Sequence, residues 1–528
     1  MISPSRPIVA SSRYFPNGAL WACLLAAWVL APMIFTDWKD SPERWIPILC
    51  YATTIQFVLQ LRSWKHVSGT LFDPYVVFLT AATLFNAGRA LLATLSGNSL
   101  ETAFAPDVAL HTLYIIGLAL CSFHLGALIA FSGTQVRSAG RESPFAARAS
   151  TLRFVGGLMI CVAIVPMSMS MQNAVSGVMQ EGYAVALYTK EAATSFAATP
   201  SVLSAFMVPG AFLLLAGSVE RAGSRTASLF IVALYTGTVL FIGWRSAALC
   251  VAVGYTWLWH RCIRPVPRGL IVSLGALLLV ILPAVATMRN LTGLDRVSLS
   301  TLSQSVERAG AFSVIEEMGG TWETVAHTIT LVPSERPYDY GASYGLSALT
   351  VFPNLSWKVH PAIYNGSPQT WLVQRVAPWT AARGGGLGFS FIAEAYLNFG
   401  SAGCVIILTT FGFLLAKAVR WAEAIRHPLG FALVAASLTA SLKYVRADSI
   451  ELVRPLVCYS ILPCLLVMLL SKRGKADTSI RVPMIATHQI ALGSRRAIQT
   501  EMPVLVRRVE GVHRRSEPAP SCIQVRRV

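Results

Sequence analysis

Apolar runs of about 17 to 25 residues recur along this chain, separated by short links carrying charge, proline or glycine, and no other feature restricts the fold so strongly. Each run is long enough to cross a hydrocarbon core roughly 30 Å thick. In such a core every backbone amide must find its partner within the segment, so the runs read as helices; a barrel would show alternating strands of about ten residues instead. Composition agrees: 54% of the 528 residues are hydrophobic, 13% are charged and mean hydropathy is +0.57. A soluble multidomain enzyme, with about a quarter of its residues charged, is excluded.

The predicted spans cover residues 18–36, 45–61, 73–95, 108–131, 154–172, 201–217, 228–260, 269–287, 389–416, 428–442 and 455–470. Arg245 interrupts the run 228–260, and splitting it there makes twelve. The expected fold is therefore an all-α integral membrane protein of about 12 transmembrane helices with one large extracytoplasmic loop. Residues 1–287 hold helices one to nine, 288–388 the loop, 389–470 the last three helices, and 471–528 a basic cytoplasmic tail. The first span lacks a convincing small-residue cleavage site and reads as retained.

Charge orients the array. With the amino terminus inside, the cytoplasmic links carry sixteen Lys and Arg, against seven in the short outer links, and the tail adds twelve more inside. Both termini are thus expected in the cytoplasm. The formal net charge of +18 is accounted for by that face and implies no nucleic-acid partner. The tail, rich in Arg, Pro and Ser without apolar periodicity, reads as disordered or lying on anionic lipid. None of the ten cysteines falls outside, so no disulfide or thiolate metal site is supported.

Once this topology is drawn, the unusual polar residues gather at the outer face. Arg89, Arg245 in a Gly-Trp-Arg-Ser hairpin tip, and Arg446, Asp448, Glu451 and Arg454 in the last outer link are joined by Arg289, Arg296, Arg308, Arg336, Lys358, Arg375 and Arg383 of the loop. Arginines placed against the positive-inside rule point either to an anionic ligand or to pairing with local carboxylates and lipid phosphates. The loop also holds Trp357, Trp371 and Trp379, flat surfaces suited to sugar rings or to an interfacial aromatic belt. Glu394, in Gly-Phe-Ser-Phe-Ile-Ala-Glu-Ala-Tyr, enters the next span about a turn below the surface, where a helix dipole favours a carboxylate. No Asp-x-Asp, Walker loop, His-Glu-x-x-His or nucleophile elbow is present, so metal and nucleotide chemistry lack a handle. No cofactor is expected.

Several of these features together resemble the Wzy-type O-antigen and exopolysaccharide repeat-unit polymerases. They are the hairpin tip, the stretch Glu-Arg-Ala-Gly-Ala-Phe-Ser at 307–313, the segment Gly-Phe-Ser-Phe-Ile-Ala-Glu-Ala-Tyr-Leu-Asn-Phe-Gly and the late Arg-Ala-Asp, covering roughly residues 243–455. An Arg, ten residues, then Gly spacing described for some members recurs at Arg308 with Gly319 and Arg375 with Gly386. The resemblance implies a metal-independent, GT-C-like glycosyltransferase at the periplasmic face of the bacterial inner membrane, joining undecaprenyl-pyrophosphate-linked oligosaccharides, with a separate chain-length regulator as partner. It also implies that Arg245, Arg289, Arg308, Arg375, Arg446 and Arg454 neutralise the pyrophosphate. A general base would come from Glu394, Asp339, Glu323, His327 or His360. Two other readings stay open: an O-antigen ligase-like transferase, which shares the lipid donor, and a flippase or secondary transporter, which would place its charges near the bilayer midplane.

Overall fold

The structure is a computed structural model describing residues 11–38, 40–132, 147–188, 198–288, 291–293, 313–352 and 366–472. Among these residues every regular element is helical, and each of the twelve segments read from the sequence is found as helix. They are α1 (Ser11–Ile34), α2 (Pro42–Ser68), α3 (Pro74–Ser96), α4 (Pro106–Ser132), α5 (Ala149–Tyr188), the pair α6 (Ala198–Ser204) and α7 (Met207–Ala216), α8 (Ala222–Ile242), α9 (Arg245–Cys262) and α10 (Arg268–Met288). After the interval follow α16 (Phe391–Ile425), α17 (Pro428–Tyr444), and α18 (Ile450–Arg454), which continues through a π-turn, Pro455–Ile461, into α19 (Leu462–Lys472).

Among the described residues, eight stretches are long and apolar enough to cross a membrane by themselves: α1, α3, α4, α5, α8, α10, α16 and the run Ile450–Ser471. The other four fall short for visible reasons. Helix α2 carries charges at both ends, α9 is 18 residues flanked by Arg245 and Arg261, α17 has 17 residues, and the sixth segment is broken between α6 and α7. Split at Arg245, the run 228–260 does form two helices, α8 and α9, joined by Gly243 and Trp244.

Helix α4 is the centre of the bundle, with 89% of the residues in its most apolar window buried, whereas in α1 only 6% are. Helices α4 and α16 cross at glycines: a Cβ on Gly126 would overlap the Thr409 carbonyl, and one on Gly412 would overlap that of Phe123. Small residues permit this backbone-to-backbone approach, which in lipid replaces the hydrophobic driving force available in water.

Helix α16 departs from the uninterrupted span expected from hydropathy. Its backbone breaks at Phe399 (φ −144°, ψ 20°) and Gly400 (φ 61°, ψ −148°), leaving a half-helix, 391–398, above the rest. The carbonyls of Leu397 and Asn398 then accept the backbone N–H groups of Asp339 (3.0 Å) and Tyr340 (3.1 Å). A break at this depth survives because the polypeptide between the spans satisfies it.

That polypeptide contains, among its described residues, five short helices: α11 (Ser313–Met318), α12 (Thr321–Leu331), α13 (Ala342–Leu349), α14 (Pro368–Val376) and α15 (Pro378–Ala382). None is long enough to cross. Helices α11 and α12 pack on α3, α12 also on α4 and α16, and α13 on α16 and α18. The basic tail lies outside the described residues beyond Lys472.

Candidate active site

Ser390 starts the half-helix, its hydroxyl accepting the Ile392 N–H (3.1 Å) and donating to Asn86 Oδ1 of α3 (2.6 Å). One turn on, Glu394 is fully buried. The hydroxyls of Ser343 (2.9 Å) and Ser449 (2.6 Å) donate to its Oε1, and the Ser449 backbone N–H donates to Oε2 (2.8 Å). The Tyr444 hydroxyl lies against the same carboxylate. Asn398, one turn below, donates to Ser343 Oγ (2.8 Å) and accepts the Gly341 N–H (2.8 Å). One acceptor group therefore ties together the half-helix of α16, the start of α13 and the start of α18. Its lone pairs face donors of the protein, and none is open to solvent.

Next to this knot, Arg336 holds Asp339 through Nε (3.0 Å to Oδ1) and Nη2 (2.8 Å to each carboxylate oxygen) and stacks over the Trp371 ring, 4.5 Å from its centroid. Gln369 donates its backbone N–H to Asp448 (3.3 Å), and the Arg446 carbonyl accepts the Phe389 N–H (3.1 Å), with the Arg446 side chain packed on Gly388. The sequence-predicted Glu394, Asp339, Trp371 and Arg446 are thus brought into one neighbourhood. Ser343, Ser449, Asn398 and Tyr444, which complete it, carry no signal in the sequence, since isolated hydroxyls and amides in an apolar chain look alike before folding.

The arginines divide. Arg89 holds Glu323 (2.6 Å), Arg245 grips Glu317 through two nitrogens (one bond at 2.8 Å), and Arg375 holds Glu335 (2.7 Å). With Arg336–Asp339, four of these arginines face carboxylates. Arg245 also donates to the Leu282 carbonyl (3.0 Å). Between the Arg89 and Arg245 pairs, Gly88 of α3 meets Gly319 backbone to backbone. These three contacts staple α11 and α12 to the bundle. Arg245 is 15% exposed and Glu317 40%, so Arg245→Ala should lower activity about tenfold by undocking α11, and Arg245→Glu with Glu317→Arg should restore it. Comparing product yield of single and double variants checks this; a substrate-binding Arg245 would stay inactive in the swap.

Other candidates lie elsewhere. His327 packs edge-on against Phe104, with ring centroids 4.7 Å apart. Burial lowers its pKa while nearby Glu323 opposes the shift. Trp379 is 82% exposed on α15. Arg454, half-buried at the end of α18, forms no ion pair or hydrogen bond among the described residues. Arg289, Arg296, Arg308, Trp357, Lys358 and His360 fall outside the described residues. Among the described residues no group of three or more His, Cys, Asp or Glu could hold a metal ion.

The family model for O-antigen polysaccharide polymerase Wzy matches residues 24–475. No curated protein and no solved structure matches the chain.

Proposed function

This chain belongs to the Wzy family of O-antigen polysaccharide polymerases, and on that footing we propose that it joins undecaprenyl-pyrophosphate-linked repeat units at the periplasmic face of the bacterial inner membrane. As a polymerase it is an enzyme of glycosyltransferase type; the lipid carrier, the face and the site are our reading. The charge bias of the links supports twelve crossings with both termini inside, which puts the Glu394 knot, Arg446 and Arg454 on the outer side. The observation that carries the reading is the buried Glu394 node. It ties a broken helix, a loop helix and the last span beside those two arginines.

In the proposed reaction a hydroxyl of the incoming unit attacks C1 of the reducing-end sugar of the growing chain. The bond from C1 to the diphosphate oxygen breaks, the polyprenyl diphosphate leaves with the electron pair, and the proton of the attacking hydroxyl passes to the departing diphosphate. What most needs stabilising is the charge on that leaving group, and guanidinium forks supply this without a metal ion. Of the six arginines expected to do so, Arg245 and Arg375 face carboxylates, Arg289 and Arg308 lie outside the described residues, and Arg446 and Arg454 remain candidates. Trp371, whose one face is covered by Arg336, and the exposed Trp379 are proposed to stack against sugar rings. Full burial among donors argues that Glu394 positions the site rather than taking the acceptor's proton, and the fork of Arg336 leaves Asp339 little freedom to do so.

Gel electrophoresis of surface polysaccharide from a deletion strain tests the function. Material capped with a single unit, restored to a ladder by the wild-type gene, is the expected outcome. Long chains retained on lipid carrier would instead indicate a ligase, and units accumulating on the cytoplasmic side a transporter.

A further inference from the structure

We propose that Tyr340 is a stacking platform for a sugar ring of the lipid-linked repeat unit, at a subsite beside the break in α16. The assignment deepens the reading of an oligosaccharide substrate and rests on it.

Tyr340 and Gly341 both have positive φ, 47° and 93°, and across them the Ala342 N–H donates to the Asp339 carbonyl (2.9 Å). That is a mirror-image turn, whose central positions favour Gly, Asn and Asp. In the left-handed region a side chain crowds the following carbonyl, so Tyr is a costly choice at 340 and glycine a cheaper one. The conformation is nonetheless fixed from outside: the Asn398 carbonyl accepts the Tyr340 N–H (3.1 Å) and its Oδ1 the Gly341 N–H (2.8 Å). Burial does not explain the ring, because Tyr340 is 75% exposed. A strained position that keeps a large side chain and leaves it in the open points to a ligand contact.

The ring's neighbours suit a sugar. It stands edge-on to Tyr338 and Phe399, with centroids 6.3 Å and 6.5 Å away, and Phe399 is itself partly exposed. At the preceding residue, Asp339 is held by Nε and Nη2 of Arg336, whose Nη1 has no partner among the described residues. Flat apolar faces beside a free donor match the apolar face and hydroxyl edge of a sugar ring. An acyl chain would leave the donor unused. Depth fits as well. A hydrocarbon core about 30 Å thick takes about 20 helical residues, and counted outward from Lys417 of α16 these end close to the break at Phe399–Gly400. Tyr340, tied to that break, is then level with the outer headgroups, where a repeat unit on its carrier would lie. An anchor of the interfacial aromatic belt would sit at this depth too, but it needs no strained backbone.

The test is binding of two probes to the full chain in nanodiscs: the lipid-linked repeat unit extracted from the host strain, and undecaprenyl diphosphate carrying no sugar. Tyr340→Gly should weaken repeat-unit binding about tenfold, the loss of one ring contact, and leave undecaprenyl diphosphate within about twofold. It should also melt at or above the wild type, because glycine relieves the turn. Tyr340→Phe, which keeps the ring, and Tyr51→Ala, which removes an exposed tyrosine of α2, should bind both probes within about twofold of wild type. Unchanged repeat-unit binding in Tyr340→Gly overturns the proposal. So does an equal loss for both probes, which would make the ring a lipid contact, or melting well below wild type, which would make it structural. Wild-type protein that binds neither probe would instead overturn the lipid-linked substrate itself.

Discussion

Glu394→Ala is expected to abolish the polysaccharide ladder while leaving some protein in the membrane. The substitution strands the Ser343 hydroxyl and the Ser449 N–H in a fully buried position, while the Ser449 hydroxyl keeps Ser347 Oγ (2.6 Å) as a partner. Each orphaned donor costs roughly 1–3 kcal/mol, so the local penalty is on the order of 2–6 kcal/mol. That is enough to release α13 and α18 from the half-helix and, with α18, to displace Arg454. Glu394→Gln should be intermediate: its amide oxygen can still accept the two hydroxyls, but its NH2 would confront the Ser449 N–H. Ladder length, normalised to membrane protein by immunoblot, reads the effect. A full ladder from the alanine variant would show that the knot is dispensable.

The second large effect is expected in the bundle. Gly126→Val or Gly412→Val drives a side chain into a facing backbone carbonyl, which cannot rotate away as a side chain could. Overpacking in well-packed cores costs about 1–3 kcal/mol, and a backbone obstacle places these two at or above the upper end. Gly157→Val is the control, because a Cβ there meets nothing within 4 Å. In detergent, both core variants should melt well below wild type or fail to accumulate, and the control should match it. Equal melting of all three would contradict the proposed crossing of α4 and α16.

Much of this was legible in the sequence because lipid imposes a long apolar period that needs no tertiary information. Each expected span appears as helix, and the division of the run 228–260 at Arg245 follows from a charge that cannot stay at mid-depth. The break at Phe399–Gly400 was not legible: hydropathy is continuous across it, and its cause is Asp339 and Tyr340, some sixty residues away, supplying the missing donors. The same limit applied to the site. Glu394 stood out as an ionisable group in an apolar run, yet its character depends on Ser343 and Ser449, which come from distant segments. Sequence singled out the arginines but not their partners, and pairing depends on contacts such as Arg245 with Glu317, 72 residues on.

The most direct measurement is polymerisation by the purified chain in liposomes supplied with lipid-linked repeat units and no nucleotide sugar, with EDTA present. The account predicts products spaced by one repeat-unit mass, one polyprenyl diphosphate released per linkage formed, and unchanged rate under EDTA. Repeat units left single, or polymerisation that stops on chelation, would contradict it.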